Sequence, residues 1–381
     1  MVKKSVGVGE ALKKSGVKAR KRRTQPLWRG PSEDGITQSL LSRFLVCPER
    51  FRLLVCEGLQ PHDQFNHRLE YGQMWHICEE NLLAGEEWEA PLKTYAAELT
   101  RKYPLAQEQI VGWYRVCMIQ FPIYVKFWAK HGKKLGIKPV SQEHVFEVDY
   151  VLPSARMVKL RGKFDAINLH GAGLYLQENK TKADIDEIQL RRQLKFDLQT
   201  MMYLIAADQM KREGHELFSG HHKKLIEGVL YNVVRRPLSG GKNTIRRHQP
   251  TKSNPRGETE EEFYMRLMGL IAEEPDYYFM RWLMQVSHRD IEVFKKRFLN
   301  PILERLCDWW EWISEVYASD EQDPFGSRDD GSAGCGGLHY QTPFGFYNVL
   351  AEGGNTELDE YILTGNETGL SRVDALFSEL Q

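Results

Sequence analysis

The pattern of hydrophobic and polar positions divides the chain into three parts. Residues 1–30 lack an apolar repeat, which predicts a flexible arm. Periodic segments fill residues 31–318 and predict a folded domain. The last part, residues 319–381, is rich in Gly, Asp and Glu without a sustained repeat, and we expect it to be loosely packed.

Helical spacing dominates the first half of the predicted domain. Thr37 can cap a first helix, because its hydroxyl can accept a hydrogen bond from a backbone N–H of the first turn. A later helix, from 66 to 83, carries Gly72 and His76 on one face, since they are four residues apart. Gly72 is expected to let this helix approach the sheet closely. Aromatic-rich helical patterns follow and predict a helical insertion at about 78–142, before the first core strand.

The period then changes to alternation, which predicts strands. Three strands follow one another closely as a β-meander, and two more come later, at 143–152, 157–169, 174–181, 225–234 and 277–286. Helical spacing returns between and after them, at 187–212, 260–272 and 287–317. This order predicts an α/β fold with a mixed central sheet flanked by helices.

Composition and charge narrow the classes of protein. The chain is 41% hydrophobic and 27% charged, as in folded globular proteins. It has no apolar run near the ~18 residues of a membrane span and no apolar stretch after its basic start, so we expect an intracellular, cytoplasmic protein. The net charge is zero, yet residues 1–30 hold ten Lys or Arg against one acid. A second basic cluster lies at 235–256, in a stretch with Gly and Pro that is expected to be a loop. Such clusters suit an enzyme that grips a polyanion, although solvated basic segments would look the same.

Two acidic residues and a lysine are predicted to meet on neighbouring strands. Alternate residues of a strand share a face, so Glu178 and Lys180 project together, and Asp165 on the preceding strand can face them. Hard oxygen ligands hold Mg²⁺ or Mn²⁺, which assist phosphodiester hydrolysis. A lysine beside such a metal ion can orient the attacking water. Each of these motifs alone is unspecific.

Four motifs become informative through their order along the chain: G-x-x-x-H ending at His76, G-x-x-D ending at Asp165, E-x-K ending at Lys180, and Q-x-x-x-Y from Gln199 to Tyr203. This order resembles the RecB-like branch of the PD-(D/E)XK nucleases, which includes nucleases of the AddAB type and of CRISPR adaptation. The early segment SLLSRFLVCPERF is similar to the first helices of that branch. The resemblance spans residues 36–235.

The resemblance implies a role for each matching residue. It makes Asp165 and Glu178 ligands of Mg²⁺ or Mn²⁺, with the backbone carbonyl of Asn179 and the His76 side chain as further ligands. Lys180 would position the attacking water. One or two metal ions are compatible with this set.

A helical stripe is predicted to face the site and the DNA backbone. Gln199 and Tyr203 lie four apart, and Arg191 and Lys195 extend the same stripe towards the N-terminus. A polar outer helix face is the alternative interpretation of these four residues. Glu147, on the strand predicted at 143–152, resembles an acid that is often present at that place in the family.

Many RecB-like nucleases carry four cysteines for an iron-sulfur cluster, but here only Cys307 and Cys335 follow the core, so no cluster is expected. The resemblance implies an exonuclease acting on DNA. A non-catalytic DNA-binding or assembly subunit and an endonuclease that acts with a partner are the alternatives. The chain lacks a G-x-x-x-x-G-K-[ST] motif, so unwinding would need a helicase or recombination partner chain.

Overall fold

The computed structural model describes residues 25–61, 65–239, 244–252, 254–318, 369–377 and 380. The predicted arm and the predicted C-terminal segment therefore lie mostly outside the described residues. Within them, contacts divide the chain into two compact units. The first unit contains the described residues of Met1–Asp63, Asp149–Arg161 and Lys296–Gln381, and the second contains those of Gln64–Val148 and Gly162–Lys295.

The α-helices of the described residues are, in chain order, α1 (Gln38–Val46), α2 (Pro48–Phe51), α3 (His67–Ala84), α4 (Glu89–Lys102), α5 (Gln107–Leu135), α6 (Glu187–Leu194), α7 (Leu198–Arg212), α8 (Glu260–Glu273), α9 (Pro275–Tyr278), α10 (His288–Phe294) and α11 (Asn300–Ala318). The strands are β1 (Leu59–Pro61), β2 (Ile137–Val151), β3 (Met157–His170), β4 (Gly173–Lys182), β5 (Ile226–Arg235), β6 (Phe279–Gln285) and β7 (Leu370–Arg372). No helix of these described segments is long and apolar enough to cross a bilayer.

The first unit is built around aromatic side chains. Trp28 is fully buried and meets Phe51 at a ring-centroid distance of 5.1 Å and Trp310 at 4.9 Å. Ordered structure therefore begins before residue 30, because burial removes the large apolar surface of Trp28 from water. Strands β1 and β7 pair antiparallel, so part of the segment predicted to be loose also forms regular structure.

The five long strands form one mixed sheet in the order β2-β3-β4-β5-β6. Strand β4 is antiparallel to β3 and parallel to β5, and β6 is antiparallel to β5. Antiparallel neighbours need only a turn, whereas the parallel pair needs a crossover, which helices α6 and α7 provide. The predicted α/β fold with a mixed sheet is confirmed.

One predicted helix proves to be two. The stripe at 187–212 breaks between α6 and α7, because the Asp197 carboxylate accepts a hydrogen bond from the backbone N–H of Thr200 at 3.1 Å and caps a new helix. The helix predicted at 287–317 is likewise interrupted, by a π-helical turn at Lys295–Leu299.

The helices before the sheet form the main core of the second unit. Helices α3, α4 and α5 bury an aromatic cluster that includes Tyr71, Trp75, Trp113 and Phe121. These side chains are buried core residues. The cluster holds α3 against the sheet, and α3 carries the first residue of the candidate site.

Candidate metal centre

Helix α3 positions His76. The helix begins where the Asn66 side chain accepts a hydrogen bond from the backbone N–H of Arg68 at 3.1 Å, and it ends at Gly85, whose φ of 77° is the left-handed conformation of a helix C-terminus. Tyr71 and Trp75 are buried in the core beneath it. The helix is therefore fixed at both ends and along one face, and the imidazole of His76 has a defined position.

The hairpin of β3 and β4 positions Asp165. A carboxylate oxygen of Asp165 accepts a hydrogen bond from the backbone N–H of Asn179 at 2.7 Å. Because the donor belongs to the sheet backbone, this bond fixes the aspartate side chain without neutralising its charge.

Three side chains converge in the second unit. The ligand atoms of His76, Glu143 and Asp165 all lie within 4.8 Å of one another. Glu143 was not among the residues predicted from the sequence. It adopts φ 44°, a left-handed conformation that is strained for a residue with a side chain, and such strained residues cluster at functional sites.

A lysine holds Glu143 in place. The Lys163 ammonium lies 2.6 Å from the Glu143 carboxylate and 3.2 Å from that of Glu80. Burial raises the pKa of Glu143 to about 7, and the neighbouring Glu80 and Asp165 carboxylates add to the rise, whereas the Lys163 hydrogen bond opposes it. The site therefore concentrates negative charge that one lysine does not fully balance.

Glu178 and Lys180 form a pair beside this cluster. Their charged atoms are 2.5 Å apart, and the Lys180 ammonium also donates a hydrogen bond to the Gln199 side-chain oxygen at 2.9 Å. Burial raises the pKa of Glu178 to about 7, and Asp165 adds to the rise, while Lys180 and His76 counteract it. The predicted convergence of E-x-K with a glutamine of the following helix is thus present in the structure.

The remaining predicted residues lie at different depths. Tyr203 contacts the site, and its phenol pKa is raised by burial and by the charges of Glu178 and Asp165. Arg191 is exposed on α6 and pairs with Glu187, and Lys195 is exposed at the end of that helix. The break between α6 and α7 separates Arg191 and Lys195 from Gln199 and Tyr203, which face the site.

Glu147 is exposed on β2, four residues after the acid that joins the cluster. Glu143 is the first residue of the strand predicted at 143–152, whereas β2 begins at Ile137. Its role was not predicted because its left-handed conformation departs from the regular alternation of a strand. Lys163, two residues before Asp165, pairs with both Glu80 and Glu143 in the structure, and its position in the sequence does not indicate which acids it meets.

Two other expectations change with the structure. A Cβ on Gly72 would lie 3.6 Å from the Thr181 hydroxyl, an ordinary contact, so a close helix-sheet approach does not explain this glycine. Arg235 and Arg236 are buried and belong to the fold, not to an exposed basic loop. Arg235 pairs with Asp184 at 2.7 Å. Lys242 of the same predicted cluster lies outside the described residues.

The donor set of the cluster fits a divalent cation. An imidazole with carboxylates suits ions such as Mn²⁺, and carboxylates suit Mg²⁺. Burial lowers the pKa of His76, but the carboxylates of Asp165, Glu79, Glu143 and Glu178 together raise it. A bound cation would relieve the mutual repulsion of these acids, which is the physical reason that they can share a buried site.

Comparison with known proteins agrees with this geometry. The family model of the PD-(D/E)XK nuclease superfamily matches residues 36–282, well over half of the chain. The chain belongs to this superfamily. A search of curated proteins finds no match.

Membership makes this PD-(D/E)XK protein a phosphodiesterase of the nuclease type, for which divalent metal ions are the typical cofactor. The matched region contains both the E-x-K pair and the cluster of His76, Glu143 and Asp165. The described site and the family therefore point to the same metal-assisted chemistry.

Proposed function

We propose that this chain is a deoxyribonuclease that uses Mg²⁺ or Mn²⁺ to hydrolyse DNA and that it acts from DNA ends. The observation that carries the proposal is the meeting of His76, Glu143 and Asp165 beside the Glu178–Lys180 pair. End-directed cutting and the RecB-like assignment rest on the resemblance in motif order.

The proposed metal ligands are His76, Glu143, Asp165 and Glu178, with the backbone carbonyl of Asn179 as a further one. When bound there, the cation would offset charge on the scissile phosphate and lower the pKa of the attacking water. The protein's contribution is to hold these groups in advance on a helix and three strands. Such preorganisation matters because the acids then need no rearrangement when substrate arrives.

Lys180 is the residue proposed to act on the nucleophile. Its ammonium has three protons, of which two are directed at the Glu178 and Gln199 oxygens. The third can be donated to the attacking water or to a phosphate oxygen. Gln199 fixes the ammonium from α7 and is therefore a positioning residue, and Tyr203 closes the same side of the site.

Positive charge next to the site supports a polyanionic substrate. Burial lowers the pKa of Lys182, and the nearby cations Lys180 and Arg236 lower it further. Close cations that repel one another are favourable places for phosphate groups. Arg191 and Lys195 are proposed to contact the DNA backbone farther along the strand, and a separate helicase or recombination chain would supply any unwinding.

The test compares end-labelled linear DNA with covalently closed circles of the same sequence, in Mg²⁺ and in Mn²⁺. We expect progressive loss of linear DNA and survival of circles. Lys180→Met should abolish cleavage, whereas Lys93→Met, which removes an exposed lysine of α4, should not. Equal attack on circles would refute end dependence, and wild-type cleavage by Lys180→Met would refute the catalytic assignment.

A further inference from the structure

A cavity lies beside the candidate metal centre. It has a volume of about 340 Å³, at the lower end of the range of about 300–1,000 Å³ for small-ligand sites. Its walls come from α3, α5, the start of β2, and strands β3, β4 and β6. All lining residues belong to the second unit, and the residues of the metal cluster are not among them.

A glutamate in the cavity wall has one oxygen without a partner. The Oε1 atom of Glu79 accepts hydrogen bonds from the Tyr124 hydroxyl at 2.6 Å and from the Asn232 amide at 3.0 Å. Its Oε2 atom is buried and has no hydrogen-bond partner within the described part of the chain. The Glu79 side chain is only 5% exposed. A buried polar atom left unpaired costs free energy, so a ligand that pairs with Oε2 gains affinity.

An unpaired donor accompanies this oxygen. The indole Nε1 of Trp128, another lining residue, is also buried without a partner in the described segments. Its ring is covered by the Arg281 guanidinium, which lies 4.2 Å from the ring centroid. Arg281 is itself held by hydrogen bonds from its Nε to Asn232 at 2.9 Å and from its Nη2 to Tyr124 at 2.7 Å. The cavity thus presents rigid, flat groups.

Side-chain amides complete the wall next to the metal centre. The Asn168 amide donates to the Gln177 oxygen at 3.0 Å, and the Gln177 amide donates to the Asn179 oxygen at 3.0 Å. On α3, Glu79 follows His76 by three residues and is thus its neighbour on the helix surface. The cavity and the metal centre are therefore adjacent along α3.

The charges of the cavity favour a neutral ligand. Arg281 disfavours a cation there, and Glu79 disfavours an anion. A nucleobase is neutral, has flat faces that stack on aromatic and guanidinium planes, and offers donors and acceptors along its edge. We propose that the cavity binds one unstacked base of the DNA strand, next to the phosphate held at the metal centre. This inference rests on the proposed function, because it assumes a DNA substrate.

Gly132 offers a way to block the cavity without removing a buried partner. It lines the cavity from α5, and a Cβ added there would meet nothing within 4 Å. Gly132→Leu should therefore fold and project into the open space. Gly269→Leu, on α8, is the matched control, since a Cβ there also meets nothing within 4 Å.

The experiment measures affinity for short single-stranded oligonucleotides in the Lys180→Met protein with Mg²⁺. One base at a time is replaced by an abasic residue. At one position, we expect the abasic substitution to weaken binding by about fivefold to a hundredfold, the usual worth of one stacked base. Adding Gly132→Leu should remove this position-specific loss, whereas Gly269→Leu should retain it.

Two outcomes overturn the inference in distinguishable ways. If DNA binds but every abasic position behaves alike, or if Gly132→Leu keeps the position-specific loss, the cavity is no base site and the proposed function stands. If Lys180→Met and wild-type protein both fail to bind DNA, the proposed function and the inference fall together.

Discussion

Gly162 is the first residue of the G-x-x-D motif and lies where β3 faces α7. A Cβ at this position would lie 2.7 Å from the Phe146 ring and 2.8 Å from the Tyr203 ring. Phe146 is buried and also stacks on Phe164 at a centroid distance of 4.4 Å, so it has little room to retreat. Gly162→Ala therefore tests whether the packing of the Phe146 and Tyr203 rings requires a residue without a Cβ at this position.

The size of the effect follows from these distances. Carbon atoms pack best at about 3.5–4.0 Å, so each ring would have to move by roughly 1 Å. Overpacking of this kind costs about 1–3 kcal/mol, while replacing a strand glycine by alanine returns about 0.5–1 kcal/mol of chain entropy. We expect Gly162→Ala to lower the free energy of unfolding by about 1–2 kcal/mol, and to reduce cleavage because Tyr203 moves.

Urea unfolding provides the assay, with Gly72→Ala as the matched variant. The Cβ of Gly72→Ala would meet only the Thr181 hydroxyl, at 3.6 Å, and helix propensity favours alanine by about 1 kcal/mol. The urea midpoint should therefore fall for Gly162→Ala and rise slightly for Gly72→Ala, with unchanged slopes. Equal midpoints for Gly162→Ala and wild type would refute the packing argument, and a large loss for Gly72→Ala would restore the close-approach interpretation of that glycine.

Three further predictions concern metal and DNA binding. Glu143→Gln should weaken Mn²⁺ binding in calorimetry by about tenfold or more, because the ion loses a charged ligand, whereas Glu147→Gln should leave the affinity unchanged. Equal effects of the two substitutions would contradict the assignment of Glu143. Because the pKa values of Glu143 and Glu178 are raised to about 7 and ligands bind metal in their deprotonated form, Mn²⁺ affinity should rise from pH 6 to pH 8 with release of protons, and a flat profile would contradict this. Deletion of residues 1–30 would remove ten cations but also the buried Trp28, so the arm is better tested by deleting only residues 1–24. This deletion should weaken DNA affinity and flatten its salt dependence, and an identical salt slope would favour a solvated arm.

Local rules of the sequence determined most of the secondary structure. The cap at Thr37 is present, since its side chain accepts a hydrogen bond from the backbone N–H of Leu40 at 3.3 Å. The E-x-K pair follows from strand geometry alone, because alternate side chains of one strand lie on the same face. The mixed sheet was equally predictable, since close strands joined by turns must pair antiparallel and a helical crossover permits a parallel pair.

The break after α6 was also written in the sequence, although helical periodicity concealed it. Asp197 is a favourable N-cap residue, and Thr200 three positions later supplies the N–H that it accepts. Periodicity alone extends a stripe across such a cap, because residues 191, 195, 199 and 203 keep their spacing on either side. Capping chemistry and periodicity therefore have to be considered together.

Tertiary structure alone decided which acids meet at His76. Glu143 and Glu147 look alike in sequence, and alternation would place them on one face of a regular strand. The left-handed backbone at Glu143 and its ion pair with Lys163 bring Glu143 to the cluster, while Glu147 remains exposed. Both features depend on packing between α3, β2 and β3, which are distant in the chain, and local patterns carry no information about such contacts. The sequence thus determines the chemistry available on each element, and long-range packing selects the acids that share a site.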